Sequence, residues 1–393
     1  MTSIPDADSA SAPAASGRLA RLGLSPLVLF TTLAFLVTVD TRMISPLLPV
    51  MAESLGTSVS AIGLAVTAYM LPYGFCQLLY GPLADRFGGI RVVRVAALGF
   101  GAGTFAMGWA STVLVLDALR FVTGVFAAAV IPLTLVHIGE SVPYAERQGA
   151  IGRYVAVVSV AQSVSAALGG TIAQLVSWRG LFVAVGAASM VPAALFYLEP
   201  SRSPAAPGQG RASRYALVLR RPTAPLLYAL VGFEGLFLWG GFTYVGALAV
   251  ARFGLSPIRV GFLLALYGVA TLVAGVLLRR VRRVVPEGVL AAAGGVLKGG
   301  AYFLMIPRGP IALYAIALLM LGLGYVALHT TLQTRATVAL FAFCLFLGGS
   351  VGAAIFGPLV DHGWHRLFLA ICGTSLVAIG AVVVPLLGRA PGA

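Results

Sequence analysis

The chain of 393 residues has little charge, no asparagine, one lysine and three cysteines. Charged side chains make up 10% of the residues and apolar ones 59%, a balance that excludes a soluble protein of this size. Without asparagine there is no N-glycosylation sequon. Cys76, Cys344 and Cys372 fall within apolar runs and have neither disulfide-framework nor metal-ligand spacing, so no metal or cofactor is expected. The composition predicts an integral membrane protein.

Apolar runs long enough to cross a bilayer occur twelve times, since a helix needs about 20 residues to span the hydrocarbon layer. The predicted spans are 26–50, 61–83, 92–110, 112–136, 151–175, 180–198, 223–249, 257–278, 288–306, 310–334, 338–360 and 366–387. We therefore expect an all-α fold of twelve transmembrane helices. Residues 1–25 are expected to form a disordered N-terminal tail, 199–222 a linker rich in Pro, Gly and Arg, and 388–393 a C-terminal tail.

The net charge of +14 comes from arginines that are distributed unevenly between the two sides of the predicted membrane. Eighteen lie in the tails, the linker and alternate loops of one side, and five lie on the other. Because cytoplasmic loops carry the excess of Arg and Lys, both termini and the linker are predicted to be cytoplasmic. This bias argues against nucleic acid as a partner. The dominance of arginine over lysine indicates a GC-rich bacterial genome, so we expect the protein in the inner (plasma) membrane. We also expect a monomer.

An internal repeat relates the two halves of the chain. The matching positions are Gly63 with Gly261, 198 residues apart, and Trp178 with Trp364, 186 residues apart. The repeat predicts two pseudo-symmetric six-helix bundles, residues 26–198 and 223–387, with a binding site between them near mid-membrane. The two offsets differ by twelve residues, so we expect a shortened junction between spans ten and eleven, after about Arg335, with no Gly, Pro or Asp to mark a turn.

Ionisable residues inside spans are costly in lipid and are therefore functional hypotheses. Asp40 and Arg120 lie at the same predicted depth in spans one and four, so we expect them to meet. The pair could exchange a proton as access alternates, or could only lock the two helices together. Asp117 is a rival partner for Arg120, since it lies three residues earlier on the same face. Arg42 is expected to point away from Asp40, toward Asp117.

A second pair is predicted in the other half. Glu234 in span seven and Lys298 in span nine also lie at equal depth. Glu234 is a candidate second proton site or contact for a cationic substrate, and Lys298 a structural or snorkelling residue. Glu234 and Phe237 are expected to share one face of span seven with Gly241 and Tyr244.

Polar and aromatic side chains at helical spacing mark faces turned toward a cavity. Tyr69, Tyr73 and Gln77 share a face of span two, and Tyr325 and His329 share a face of span ten. Together with two further residues, they give the predicted substrate cavity: Tyr69, Tyr73, Gln77, Gln162, Phe237, Tyr325 and His329. His329 could equally be a packing residue. Such a lining suits an amphipathic or cationic molecule rather than a phosphorylated one, which would call for buried arginine pairs.

A charged hinge separates spans two and three and reads Gly81-Pro-Leu-Ala-Asp85-Arg86-Phe-Gly88-Gly89-Ile-Arg91. It resembles the signature loop of the major facilitator superfamily, the twelve-helix secondary transporters. Leu119-Arg120-Phe-Val-Thr-Gly124 resembles the family's span-four motif, and Val39-Asp40-Thr-Arg-Met-Ile-Ser45-Pro resembles the span-one pattern of its drug/proton antiporter branch. In span five, Gly169-Gly170 matches the antiporter motif, whereas its Gly-Pro is absent.

The resemblance implies the major facilitator fold and alternating access between two bundles. It further implies proton coupling through Asp40 and Arg120, with Glu234 kept as the candidate second proton site, and a conformational switch made by Gly81, Asp85, Arg86, Gly88, Gly89 and Arg91. We expect a proton-coupled exporter of drugs or small amphipathic metabolites, with a symporter importing a sugar or organic acid as the alternative. No enzyme is expected, since the sequence has no H-E-x-x-H, G-x-S-x-G or Walker pattern.

Overall fold

The computed structural model describes residues 18–200, 218–220 and 222–387, and all regular structure in these ranges is helical. A single turn, Arg18–Arg21, precedes twelve long helices. They are α1 Pro26–Ser54, α2 Val59–Phe87, α3 Gly89–Trp109, α4 Val113–Ser141, α5 Tyr144–Leu175, α6 Trp178–Phe196, α7 Ala224–Phe253, α8 Pro257–Leu278, α9 Glu287–Leu304, α10 Ile311–Arg335, α11 Val338–Asp361 and α12 His365–Leu386. The predicted C-terminal tail, and most of the predicted N-terminal tail and linker, lie outside the described residues.

Each predicted span corresponds to one of these helices. Eleven of them, all except α9, are long and apolar enough to cross a membrane. α9 has 18 residues and is less apolar because it includes Glu287, Lys298 and several glycines. It nevertheless lies inside the second bundle against α10 and α12, where Lys298 is buried in an ion pair. The protein is therefore an all-α integral membrane protein, as the composition predicted.

The same helix pairs pack in both halves of the chain. α2 packs on α4 and α3 on α6 in the first bundle, as α8 packs on α10 and α9 on α12 in the second. Between the bundles, α2 lies along α11 and α5 lies along α8. Under the repeat, α2 corresponds to α8 and α11 to α5, so the two interfaces are equivalent. This confirms the two pseudo-symmetric six-helix bundles that the internal repeat predicted.

The junction between α10 and α11 is short but fully ordered. α10 ends at Arg335, Ala336 and Thr337 are extended, and α11 begins at Val338. The backbone N–H of Thr337 donates to the hydroxyl of Tyr228 at 3.0 Å, which stabilises the turn without Gly, Pro or Asp. Arg335 pairs with Glu287 at 2.8 Å beside it.

Helix length accounts for the twelve residues by which the halves differ. α4 has 29 residues and its counterpart α10 has 25, while α5 has 32 and its counterpart α11 has 24. The differences of four and eight residues together make twelve, and the junction between α4 and α5 is also only two residues long. The second half therefore lacks two helix ends, and its junction is as long as that of the first half, so the expectation of a shortened junction is wrong.

The contact between α5 and α8 depends on glycine. A Cβ atom at Gly170 would overlap the carbonyl oxygen of Pro257, and one at Gly261 would overlap that of Ala166. The two backbones therefore touch directly, which only glycine allows. Gly169, the neighbour in the same pair, packs on Met43 of α1.

We expect Gly170→Val to push α5 and α8 apart and to destabilise the protein by about 1–3 kcal/mol, the usual cost of overpacking. Thermal unfolding of the purified protein in detergent measures this. Gly152→Val is the matched control on the same helix, since a Cβ there meets nothing within 4 Å. Equal unfolding temperatures for the two variants would contradict the close approach.

Candidate functional site

The first bundle contains a buried ion pair between α1 and α4. Arg120 Nη1 donates to Asp40 Oδ2 at 2.8 Å, and the two side chains are 1% and 0% exposed. The guanidinium carbon lies 4.1 Å from the ring centroid of Tyr69. The contact between Asp40 and Arg120 that their equal depth in the membrane predicted is therefore present. Asp117 forms no ion pair among the described residues, so Asp40 is the partner of Arg120.

This pair leaves polar atoms unused. Asp40 Oδ1 and Arg120 Nε are both buried and have no hydrogen-bond partner among the described residues. Buried polar atoms are nearly always satisfied, so a pair held through only one oxygen is unusual. The free oxygen can accept a proton or a water molecule without first breaking an existing hydrogen bond.

The second bundle contains a buried cluster of three ionisable residues. Lys298 Nζ donates to Glu234 Oε1 at 2.6 Å, and His329 Nδ1 lies 3.3 Å from Glu234 Oε2. Glu234 and Lys298 are both 0% exposed. The Glu234–Lys298 contact was expected, whereas His329 was predicted only to line the cavity. Here both carboxylate oxygens have partners, in contrast to Asp40.

The predicted shared face of α7 is wrong because the helix changes its winding. Residues Gly235–Gly240 form a π-helical segment, which rotates the later residues relative to Glu234. Glu234 faces α9 and α10, whereas the Tyr244 hydroxyl donates to the carbonyl of Ala353 on α11 at 2.5 Å. Phe237 packs on Phe356 of the same bundle, with ring centroids 6.2 Å apart.

Aromatic side chains from both bundles collect between the two charged clusters. Tyr69 and Tyr73 stack at 5.8 Å in the first bundle, and Tyr325 lies 5.5 Å from Trp239 in the second. Gln77 is buried beside the tyrosines of α2, and Gln162 on α5 has a buried Oε1 without a hydrogen-bond partner among the described residues. A cavity between the bundles is lined by Thr41, Arg42, Ile44, Ser45, Val66, Met70, Trp239, Phe242 and Thr243.

Arg42 occupies a position that the sequence did not predict. Its guanidinium carbon lies 3.0 Å above the ring centroid of Trp239 in the opposite bundle, so the expectation that it faces Asp117 is wrong. Trp239 and Phe242 were also missed, because nothing in α7 except the π-helical segment turns them toward α1. The cluster of Gly, Phe and Trp around 235–241 was the available signal, since such clusters accompany irregular helices.

The hinge between α2 and α3 is a single residue. Gly88 has φ of +87°, which glycine adopts without strain, and its N–H donates to the carbonyl of Ala84 at 2.8 Å, which ends α2. Gly81, Asp85 and Arg86 lie in the last turns of α2, while Gly89 and Arg91 begin α3. Arg86 and Arg91 are exposed. All six predicted switch residues therefore lie at one end of the first bundle.

Comparison with known proteins agrees with this geometry. The sequence profile of the Major Facilitator Superfamily matches residues 30–338. The chain is 25% identical over 365 residues to an uncharacterized MFS-type transporter, YceJ of Bacillus subtilis, covering 89% of this chain and 92% of that protein. It is 27% identical over 219 residues to the tetracenomycin C resistance and export protein of Streptomyces glaucescens, covering 55% of this chain but only 40% of the exporter.

Among solved structures, the partially occluded inward-open form of the xylose transporter XylE from E. coli has the same fold. The TM-score is 0.70 at 16% identity, with 91% of this chain and 97% of XylE covered. Two six-helix bundles with a cavity between them define a multi-pass membrane transport protein. The chain belongs to the Major Facilitator Superfamily.

Proposed function

We propose that the chain is a proton-coupled secondary transporter that exports drugs or small amphipathic metabolites by alternating access. The observation that carries this proposal is the Asp40–Arg120 pair, which is buried, joins two helices and keeps one carboxylate oxygen free. A proton on Asp40 removes the charge that holds Arg120. Proton uptake is thereby linked to the packing of α1 against α4.

Contacts at one end of the molecule support rocking of the bundles. The Ser60 N–H donates to Asp361 at 3.2 Å, and the Ile258 N–H donates to Gln174 at 3.1 Å. Both bonds cross from one bundle to the other at the end predicted to face outward, opposite the hinge at Gly88. Such bonds must break when the cavity opens on that side. We place both termini and the hinge in the cytoplasm and the protein, as a monomer, in the bacterial plasma membrane.

The direction of transport has two candidate answers. Resistance and export by the Streptomyces glaucescens relative favour efflux, together with the aromatic lining of the cavity. Uptake of a sugar or organic acid with protons is the alternative, and the similarly folded XylE is named as a xylose transporter. Either direction uses the same carboxylate.

Purified protein in liposomes with an imposed pH gradient tests the proposal against a substrate panel. Export predicts that substrate moves against the proton flow and that an uncoupler abolishes the movement. Accumulation of a labelled nutrient in the direction of the proton flow would establish import instead. Binding without any gradient-driven flux would contradict proton-coupled transport altogether.

A further inference from the structure

Arg42 is a cation that lines the cavity between the bundles and has no acidic partner in the described part of the chain. It extends from α1 toward the second bundle, where its guanidinium stacks on Trp239. None of the ion pairs among the described residues includes it. Four tyrosines from both bundles, Tyr267, Tyr325, Tyr73 and Tyr69, lie near it.

Two buried groups near Arg42 have hydrogen-bond donors that no other described residue accepts. Trp239 is 5% exposed, and its indole Nε1–H, which can only donate, has no partner among the described residues. Tyr267 is 4% exposed, and its hydroxyl is also without a partner in the described part of the chain. Buried donors without acceptors cost free energy, so a cluster of them indicates that an acceptor binds there.

The carboxylates near the cavity are already engaged. Asp40 pairs with Arg120, and Glu234 pairs with Lys298 and His329. Asp117 lies one helical turn from Arg120 on α4, and Arg42 forms no ion pair with it or with Asp40 among the described residues. No carboxylate is among the described residues that line this cavity, which argues against the expectation that Glu234 contacts a cationic substrate there.

We propose that Arg42, Trp239 and Tyr267 bind the negatively charged group of an amphipathic organic monoanion, a carboxylate or sulfonate. The stacked guanidinium keeps its N–H edge free, and that edge matches the two oxygens of such a group. A single arginine balances one negative charge. The rings of Phe242 and Tyr325, which lie 4.8 Å and 6.0 Å from Tyr267, supply an apolar surface for the body of the substrate. This inference rests on the proposed transport function and names its substrate class.

Calorimetry on the purified protein in nanodiscs tests the inference without any proton gradient. The probes are 1-naphthoate, its neutral isostere 1-naphthamide and the cation 1-naphthylmethylammonium. We expect naphthoate to bind at least about tenfold more tightly than the amide and the cation most weakly, since a desolvated charge pair dominates the difference. Arg42→Gln should abolish the preference and Arg42→Lys should restore part of it. Arg308→Gln, an exposed arginine of the α9–α10 loop, is the matched control and should keep the preference.

Two further readouts separate binding from a structural role. Arg42→Gln should raise the unfolding temperature of the ligand-free protein, because it removes an unpaired charge from a half-buried site, whereas loss of a structural contact would lower it. Naphthoate should also change the tryptophan fluorescence, and Trp239→Phe should remove that change.

Equal binding of naphthoate and naphthamide would overturn the inference. So would tighter binding of the cation, an anion preference that survives in Arg42→Gln, or binding of none of the three probes. An intact anion preference in a protein that shows no gradient-driven flux would overturn the proposed transport function while leaving the anion site in place.

Discussion

Glu234→Gln is expected to lower the stability of the protein more than any other single substitution considered for the second bundle. Glu234 accepts from Lys298 at 2.6 Å with both side chains 0% exposed, so the variant leaves an ammonium group buried without a counter-charge. Removing one partner of a buried ion pair costs about 3–5 kcal/mol. Thermal or chemical unfolding in detergent measures the loss.

The matched control is Glu287→Gln, because Glu287 also pairs with a basic residue but at a site where both side chains are about one third exposed. We expect that variant to lose less than about 1 kcal/mol, as exposed pairs do. The double variant Glu234→Leu/Lys298→Leu should recover much of the stability, since replacing both members of a buried pair by apolar residues is often neutral. If Glu234→Gln were as stable as Glu287→Gln, the buried cluster would not stabilise the bundle.

Transport by the double variant separates the two roles proposed for Glu234. Both of its oxygens are engaged, one by Lys298 and one by His329, which favours a structural role. A stable double variant that retains gradient-driven transport would establish that role. Loss of coupling in a stable double variant would instead assign a proton to Glu234.

Depth along the membrane normal was predictable from the sequence, and so were the two ion pairs that depend on it. A helix rises about 1.5 Å per residue, so counting from the ends of the spans places Asp40 level with Arg120 and Glu234 level with Lys298. The helix partners in each pair then follow from the repeat and from the family resemblance. This reasoning needs no side-chain detail, and it held for both pairs.

Rotation about the helix axis was much harder to predict. Arg42 directly follows Asp40 and Thr41 in α1, and three consecutive helical residues point to different sides, so the polar residues indicate no single face for it. In α7 the π-helical segment breaks the 3.6-residue period, so Glu234 faces α9 and α10 while Phe237 and Tyr244 contact α11. Trp239 therefore reaches Arg42 although the regular period placed Phe237 on the cavity side.

The sequence predicted correctly that the second half is twelve residues shorter than the first. Only the structure showed where these residues are missing. Sequence offsets locate twelve missing residues after the match of Gly124 with Gly322 but cannot divide them between loop and helix. The structure assigns them to the ends of α10 and α11. A two-residue turn suffices there because Tyr228 of α7 satisfies the backbone of Thr337.

Asp40→Asn is expected to reduce uphill transport driven by a pH gradient by about 100-fold or more, while substrate binding changes little. Asparagine has the shape of aspartate and its amide oxygen can still accept from Arg120, but it cannot take up and release a proton. Proton-independent exchange of substrate across the liposome membrane should therefore persist while accumulation is lost. Unfolding measurements check that the altered pair with Arg120 lowers the free energy of unfolding by no more than about 1–3 kcal/mol. A loss of transport then cannot be explained by unfolded protein.

Asp117→Asn is the comparison variant for this experiment, since Asp117 lies one helical turn from Arg120 on α4 and forms no ion pair among the described residues. We expect it to keep most of the gradient-driven transport. Full activity of Asp40→Asn with loss in Asp117→Asn would move the proton site to α4. Loss of exchange as well as accumulation in Asp40→Asn would show that the pair with Arg120 holds α1 and α4 together instead of carrying the proton, because a coupling residue is needed only for the proton-driven step.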